Sequence, residues 1–224
     1  LLALNADALV LCELENSDAA WSDLLSALNA AVGAGTYACL EEDAAGGGTR
    51  TVLFYKAAVL TPVTQLYSLY TSTFQRPHLT QGFLVNATGA RFLLSSVHLR
   101  SKLCDNAAGA NTDQDDGQSC FNALRRTQAQ ELAAHWNTVR QQTGIAAHLM
   151  LGDFNAYTEE DPLDFLRASG LQRLLGSAAY SYKFGSAFGA LDHALGTATM
   201  AAAITGGQVW HINSDEPAAF NYAD

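Results

Sequence analysis

Residues able to do acid–base or ligand chemistry stand at the ends of apolar runs in this sequence. Asp153 and Asn155 follow the run His148–Leu151 and lie two residues apart, so in extended geometry both side chains project to one side, with Gly152 permitting close backbone approach. A carboxylate beside an amide can orient a water and hydrogen-bond a phosphoryl oxygen, although Gly-Asp-Phe-Asn is also an ordinary turn. Glu13 ends the run Ala6–Cys12, where a carboxylate is costly unless paired or metal-bound; a structural salt bridge is the alternative. His98 closes Phe92–Val97 and is followed by Arg100 and Lys102 at alternate positions, a pattern that suits an anion site or a satisfied edge histidine. Asp192-His193 sits inside Ala190–Leu195, where an ionisable pair implies either function or a buried ion pair.

The elements that must position these residues follow from periodicity. Ala6–Cys12 reads as a strand, and Ser17 is a suitable N-cap for a helix whose Trp21, Leu24, Leu25, Leu28 and Val32 recur at helical spacing until Gly33 and Gly35. Tyr37–Leu40 is a strand, Arg50–Val63 one or two strands, and Gly82–Asn86 with Arg91–His98 a hairpin through Ala87-Thr88-Gly89. Asn122–Gln142 is a helix with Leu124, Leu132, Trp136 and Val139 on its buried stripe. Asp161-Pro162 starts another that Gly170 ends. Short strands are expected at Tyr180–Phe184, Ala190–Leu195 and Gln208–Ile212. Strands and helices mix without strict alternation, which favours a mixed-sheet α/β sandwich over a doubly wound fold.

The 224 residues are 49% apolar and 15% charged, which supports one compact, soluble domain and excludes intrinsic disorder. Leu1-Leu2-Ala3-Leu4 has neither a basic region before it nor a cleavage site after it, so it reads as neither signal peptide nor anchor, and a precursor could carry one upstream. The net charge of −10 hides an asymmetry. Between Asp43 and Asp105 there is no acid, while Arg50, Lys56, Arg76, Arg91, Arg100 and Lys102 all fall there, so a local anion-binding face is expected, with Arg50 or Arg76 on it. Chance clustering on a solvated sheet is the plain alternative. Cys12, Cys39, Cys104 and Cys120 lack zinc-site spacing. An even count favours bridges Cys104–Cys120, closing a long acidic loop, and Cys12–Cys39; four free thiols would imply a reducing compartment.

Taken in order, Ala6-Asp7 through Asn16, Tyr55-Lys56, Phe74–Pro77, His98–Lys102, Asp116–Arg125, Gly152–Tyr157, Leu191–Leu195 and Trp210–Pro217 resemble the DNase I-like endonuclease/exonuclease/phosphatase superfamily over nearly the whole chain. The Gly152–Asn155 element is shared across the superfamily. The cysteine-bracketed loop and the Trp210–Pro217 ending are similar to its secreted bacterial branch, the ExeM-type extracellular nucleases.

The resemblance implies an α/β fold, a DNase I-like sandwich of two packed mixed β-sheets flanked by helices. It also implies a single domain over residues 1–224, N-terminally truncated because the first strand, with its metal-side Asn, has no counterpart here. Glu13 corresponds to the metal-binding glutamate, with Asp215 as a second metal residue expected near it and Asp153. Arg76 corresponds to the phosphate-facing arginine, with Lys102 and Arg125 as further phosphate contacts. His98 matches the histidine that contacts the scissile phosphate and protonates the leaving oxygen. Asp153 and Asn155 match the pair that positions water and phosphoryl oxygens, and Asp192 the aspartate that orients a catalytic histidine. Relatives end this motif in Ser-Asp-His; here Ser214-Asp215-Glu216 stands, so His193 or His211 is expected to supply the base.

The implied activity is that of a secreted, extracellular or periplasmic endonuclease, monomeric, without membrane association. It would use Mg2+ or Mn2+, with Ca2+ a further candidate, and cleave DNA, with RNA a further substrate, with little sequence preference. A phosphodiesterase or phosphatase for lipid or inositol phosphates is the alternative, against which stands the lack of a recognisable membrane-inserting aromatic stretch. A non-catalytic nucleic-acid-binding module is the third reading.

Overall fold

The computed structural model describes residues 1–43, 48–176, 179–184 and 186–211. The strands are β1 (Ala8–Glu15), β2 (Tyr37–Leu40), β3 (Thr49–Lys56), β4 (Leu60–Pro62), β5 (Tyr67–Leu69), β6 (His78–Val85), β7 (Arg91–His98), β8 (His148–Asp153), β9 (Gln172–Arg173), β10 (Tyr182–Phe184), β11 (Ala187–Gly189) and β12 (Asp192–Gly196). The helices are α1 (Asp18–Val32), α2 (Asn122–Thr143), α3 (Asp161–Ala168) and α4 (Ala198–Ala203). Among the described residues, no helix is long and apolar enough to cross a membrane.

Two sheets form the sandwich. The smaller has the order β1-β3-β2, all antiparallel. The larger runs β4-β6-β7-β8-β12-β9 with β5 also on β6, and is mixed because β7 and β8 pair in parallel. Side-chain alternation explains the layering. Leu53 of β3 meets Leu79, Phe83 and Leu94 between the sheets, while its neighbours Val52 and Phe54 point outward onto α1 with Leu28 and Trp21. On β8, Leu149 and Leu151 face the smaller sheet and Met150 packs against Leu132 and Trp136 of α2 and Leu163 and Leu166 of α3. The result is an α/β fold of two central sheets with helices on both outer faces.

Several elements match their sequence expectations closely. The Ser17 hydroxyl caps α1 by accepting from the Ala20 amide (3.2 Å), and α2 begins at Asn122 as its spacing predicts. The chain at 208–211 forms no strand, contrary to expectation, and Ile212 lies outside the described residues. The short strands β9 and β11 and helix α4 have too few residues for a readable period.

The cysteine expectation is half corrected. Cys104 and Cys120 are bridged, whereas Cys12 and Cys39 are free. The reason is topological: β3 lies between β1 and β2, so two strand spacings of about 4.8 Å separate their backbones, beyond the roughly 7 Å that a disulfide spans between Cα atoms.

The basic stretch does not assemble into one face. Arg50 is buried among Asp18, Glu41 and Asp43, Lys56 pairs with Asp7, Lys102 pairs with Glu160, and the Arg100 guanidinium lies over the Phe121 ring, 4.1 Å from its centre. Each of these cations is taken up by its own partner, so a charge run in the chain is not a charge patch in space. Arg76 alone of these faces the row of acids described next.

Candidate active site

Strand register builds the site. In the pairing of β7 with β8, His98 lies opposite Asp153, and in the pairing of β8 with β12, Asp153 lies opposite Asp192. Directly opposed residues share a face, so one row across three adjacent strands carries an imidazole and two carboxylates. Gly152 is required immediately behind this row: its φ is +140°, and a Cβ there would sit 2.0 Å from the Val97 carbonyl oxygen.

Glu13 reaches the row from the facing sheet through a β-bulge. Leu11 of β1 pairs with Val52, but Leu14 pairs with Arg50, leaving one extra residue on β1, and Glu13 has φ 61°. Such a bulge re-aims a side chain. Glu13 is therefore largely solvent-exposed rather than buried at the strand end, and its Oε1 lies 3.7 Å from His98 Nε2, as does Asp153 Oδ2. Arg76 completes the group: its Nη1 contacts both imidazole nitrogens of His98, at 3.1 Å for Nε2.

Asp153 is held at both oxygens. The Asn155 amide N–H donates to Oδ1 (2.7 Å) and Asn155 Nδ2 donates to Oδ2 (3.1 Å) and to the Leu99 carbonyl (3.1 Å). Burial first, then the negative charges of Asp192 and Glu13, push the Asp153 carboxyl up to about 7, against the Asn155 hydrogen bond and Arg76, which oppose the rise. Burial, and next the Arg76 cation, drive His98 down to about 3, so its imidazole is neutral near pH 7. A neutral imidazole offers one N–H as a hydrogen-bond donor. Asp192 is fixed from behind by Ser181, whose hydroxyl accepts from the Asp192 and Leu191 amides (3.0 and 3.1 Å).

Other expected site residues fall elsewhere. His193 opposes Gly152 and points to the far side of the sheet, buried, with Nε2 bonded to the Ala156 carbonyl (2.8 Å) and its ring edge-on to Phe154; a neighbour of Asp192 on one strand cannot share its face. His211 stacks on Tyr180 with its Nε2 at the Tyr180 carbonyl (2.8 Å) and does not line the cleft over Asp153. Arg125 is fully buried and donates to the carbonyls of Cys120 and Gln118 (2.8 and 2.9 Å). It is an internal tether for the disulfide-closed loop, out of reach of a phosphate. Lys102 lines the cleft, but its ammonium is held by the Glu160 carboxylate and the Gln118 carbonyl. Asp215 lies outside the described residues.

Two groups were not expected at the site from the sequence. Cys12 packs beside the row, donating to the Val97 carbonyl (3.6 Å), its thiol pushed up to about 12 by burial. Tyr157, Tyr182 and Phe184 line the same cleft of about 520 Å³ as Asp153, Asn155 and Asp192. The alternation of Tyr182 and Phe184 predicts a strand, but nothing in it signals which face stays uncovered.

Hard oxygen donors suit a divalent cation, and Glu13, exposed beside His98, offers one; among the described residues, Glu13, Asp153 and Asp192 do not bring three ligand atoms within 4.8 Å of one another. A second acidic cluster, Asp18, Glu41 and Asp43, brings ligand atoms within 4.8 Å of one another, but the Arg50 guanidinium already donates to all three.

The fold and this row define a phosphoester hydrolase. The model of the Endonuclease/Exonuclease/phosphatase family matches residues 1–215, and the chain belongs to that family, whose enzymes act on phosphoester bonds and typically depend on a divalent metal. No curated protein matches the sequence. Solved structures with this fold include the human Nocturnin catalytic domain with bound sulfate (17% identity, 88% of this chain and 71% of that chain, TM-score 0.62). Two others are a Bacteroides thetaiotaomicron mannosyl-6-phosphatase (13%, 88% and 73%, 0.62) and D. rerio TDP2 complexed with a single-strand DNA product (16%, 88% and 74%, 0.60). At such identities the likeness is one of fold.

Proposed function

We propose that the chain is a divalent-metal-dependent endonuclease of the secreted, ExeM-like kind, acting as a monomer on DNA, and on RNA as a further substrate, with little sequence preference. The observation that carries this reading is the register-aligned row His98, Asp153, Asp192, with Glu13 from the opposite sheet and Arg76 as its cation. The Cys104–Cys120 bridge supports an oxidising compartment.

The chain's residues divide the work by their charge states. Arg76 supplies a fixed positive charge for a phosphoryl oxygen. His98, neutral, donates a hydrogen bond to another. Asp153, clamped by Asn155, takes a proton from the attacking water in this reading, in place of His193 or His211. Glu13 would hold Mg2+ or Mn2+, which when bound neutralises charge developing on the phosphoryl group.

A second reading, lipid or inositol phosphate hydrolysis, gains one specific observation. Tyr182, Phe184, Phe188 and Trp210 are exposed, although no such stretch was recognisable in the sequence. Nicking of supercoiled plasmid with and without EDTA tests the first reading: EDTA-sensitive nicking, lost in Asp153→Asn, is expected. Release of phosphate from lipid or inositol substrates without any nicking would replace it with the second.

A further inference from the structure

The hairpin of β10 and β11 presents two different faces. Tyr182 and Phe184 alternate with Lys183, so both rings lie on one side, opposite the small residues Gly189 and Ala187. That side turns to the cleft that contains Asp153 and Asp192. The other side carries Phe188, with Lys183 over it and Tyr180 edge-on to it. Phe184 is 72% exposed and Tyr182 41%, which water alone does not favour for rings of this size.

Tyr157 joins them from the loop after β8. Its ring lies directly on Gly189, where a Cβ would come within 2.4 Å of it, and the Lys102 ammonium sits 5.0 Å from its centre. The hairpin is also tied to the catalytic row, since Ser181 at its base accepts from the Asp192 amide. Aromatic surface and phosphate-handling carboxylates therefore share one cleft.

The geometry points to Tyr182 and Phe184, backed by Tyr157, as a stacking platform for an unpaired nucleobase next to the scissile phosphate, making single-stranded nucleic acid the preferred substrate. This rests on the endonuclease reading and specifies its substrate. A phosphate handled at Asp153 carries its sugar and base into the same cleft, and a base offers a flat π-face that such rings bind without reading sequence. In a regular duplex those faces are covered by neighbouring base pairs. A membrane would need apolar side chains on an outward-facing tip; here both platform rings share the cleft face of the hairpin and Tyr157 lies beneath it.

The test uses the whole protein in EDTA, where no cleavage intervenes, with fluorescein-labelled oligothymidine and an abasic oligomer of equal length. Anisotropy should show tighter binding of oligothymidine, with Tyr182→Ala/Phe184→Ala abolishing that difference, about tenfold in Kd, and Phe184→Trp restoring part of it. Equal affinity for both oligomers, binding of neither, or a base preference that survives the double variant overturns the platform. Loss in the double variant of binding to phosphatidylcholine vesicles, without base preference, overturns it in favour of a membrane contact. A preserved base preference in a protein that nicks nothing sinks the endonuclease reading and leaves the platform standing, so the two failures are distinguishable.

Discussion

Two clusters of acids, one around Arg50 of β3 and one around Asp153 of β8, were solved in opposite ways. Around Arg50, three carboxylates and the Asn16 amide oxygen converge on one buried guanidinium at 2.9–3.3 Å, so its hydrogen bonds are filled although the carboxylates outnumber it. Around Asp153, two further carboxylates share one arginine, and that arginine is spread against an imidazole. A saturated cluster holds strands together. The other keeps Asp153 buried beside like charges, an arrangement that a bound cation can relieve, which is how functional sites differ from structural ion pairs.

Substitution at the Asp153 cluster should have the largest effect. Asp153→Asn is expected to lower nicking rates by about 10²–10⁴-fold, measured under saturating Mg2+; activity within a few fold of the parent would mean that the row is not catalytic. The Arg50 cluster should respond in stability instead. Arg50→Ala is expected to cost about 2 kcal/mol in urea unfolding, less than the ~3–5 kcal/mol of a fully buried pair because Asp18 and Asp43 are exposed and rehydrate, with the turnover of folded enzyme unchanged. A change in turnover would erase the distinction between the clusters.

A smaller effect runs with opposite sign. The Asp153 carboxyl is raised from 3.8 to about 7, so the folded state binds a proton that the unfolded chain releases, and stability falls as pH rises across that window. Asp153→Asn should therefore gain roughly 1–3 kcal/mol at pH 8 in metal-free buffer and nothing near pH 4, read from paired unfolding curves. Equal stability at both pH values would show that the charges at this site are already compensated.

The smallest effect concerns a third kind of buried polar group, one with no charge partner at all. His78 and His148 are buried, and His135 packs against His78; burial lowers all three, with His148 at about 3. The unfolded chain binds protons that the folded one refuses, so stability present above pH 6.5 is lost as pH falls, by about 1 kcal/mol per histidine over the first unit below it. Melting temperature should drop between pH 7 and 5.5, and His78→Phe should flatten that slope; an unaltered slope would assign acid lability elsewhere.

The local choices were legible in the chain because they depend on neighbours in sequence. Ser17 caps α1, and Asp153 and Asn155 stand two apart after an apolar run; each follows from a side chain acting on its own few residues. The family resemblance could assign roles to Glu13, Arg76, His98 and Asp192, but it could not say which partners each would find.

What tertiary structure alone decided were matters of register and layer order. Placing β3 between β1 and β2 separates Cys12 from Cys39, although their count invites a bridge. Pairing Asp192 with Asp153 turns His193 to the opposite face. Folding the 99–125 segment back on itself converts Arg125 from a candidate phosphate contact into a tether. The platform of Tyr182 and Phe184, backed by Tyr157, exists only because a hairpin swings to the mouth of the cleft. Sequence patterns report the period of an element and hence which residues share a face. They carry no information about what that face meets, because the meeting is settled by strands distant in the chain, through hydrogen-bonded register and the exclusion of water between layers.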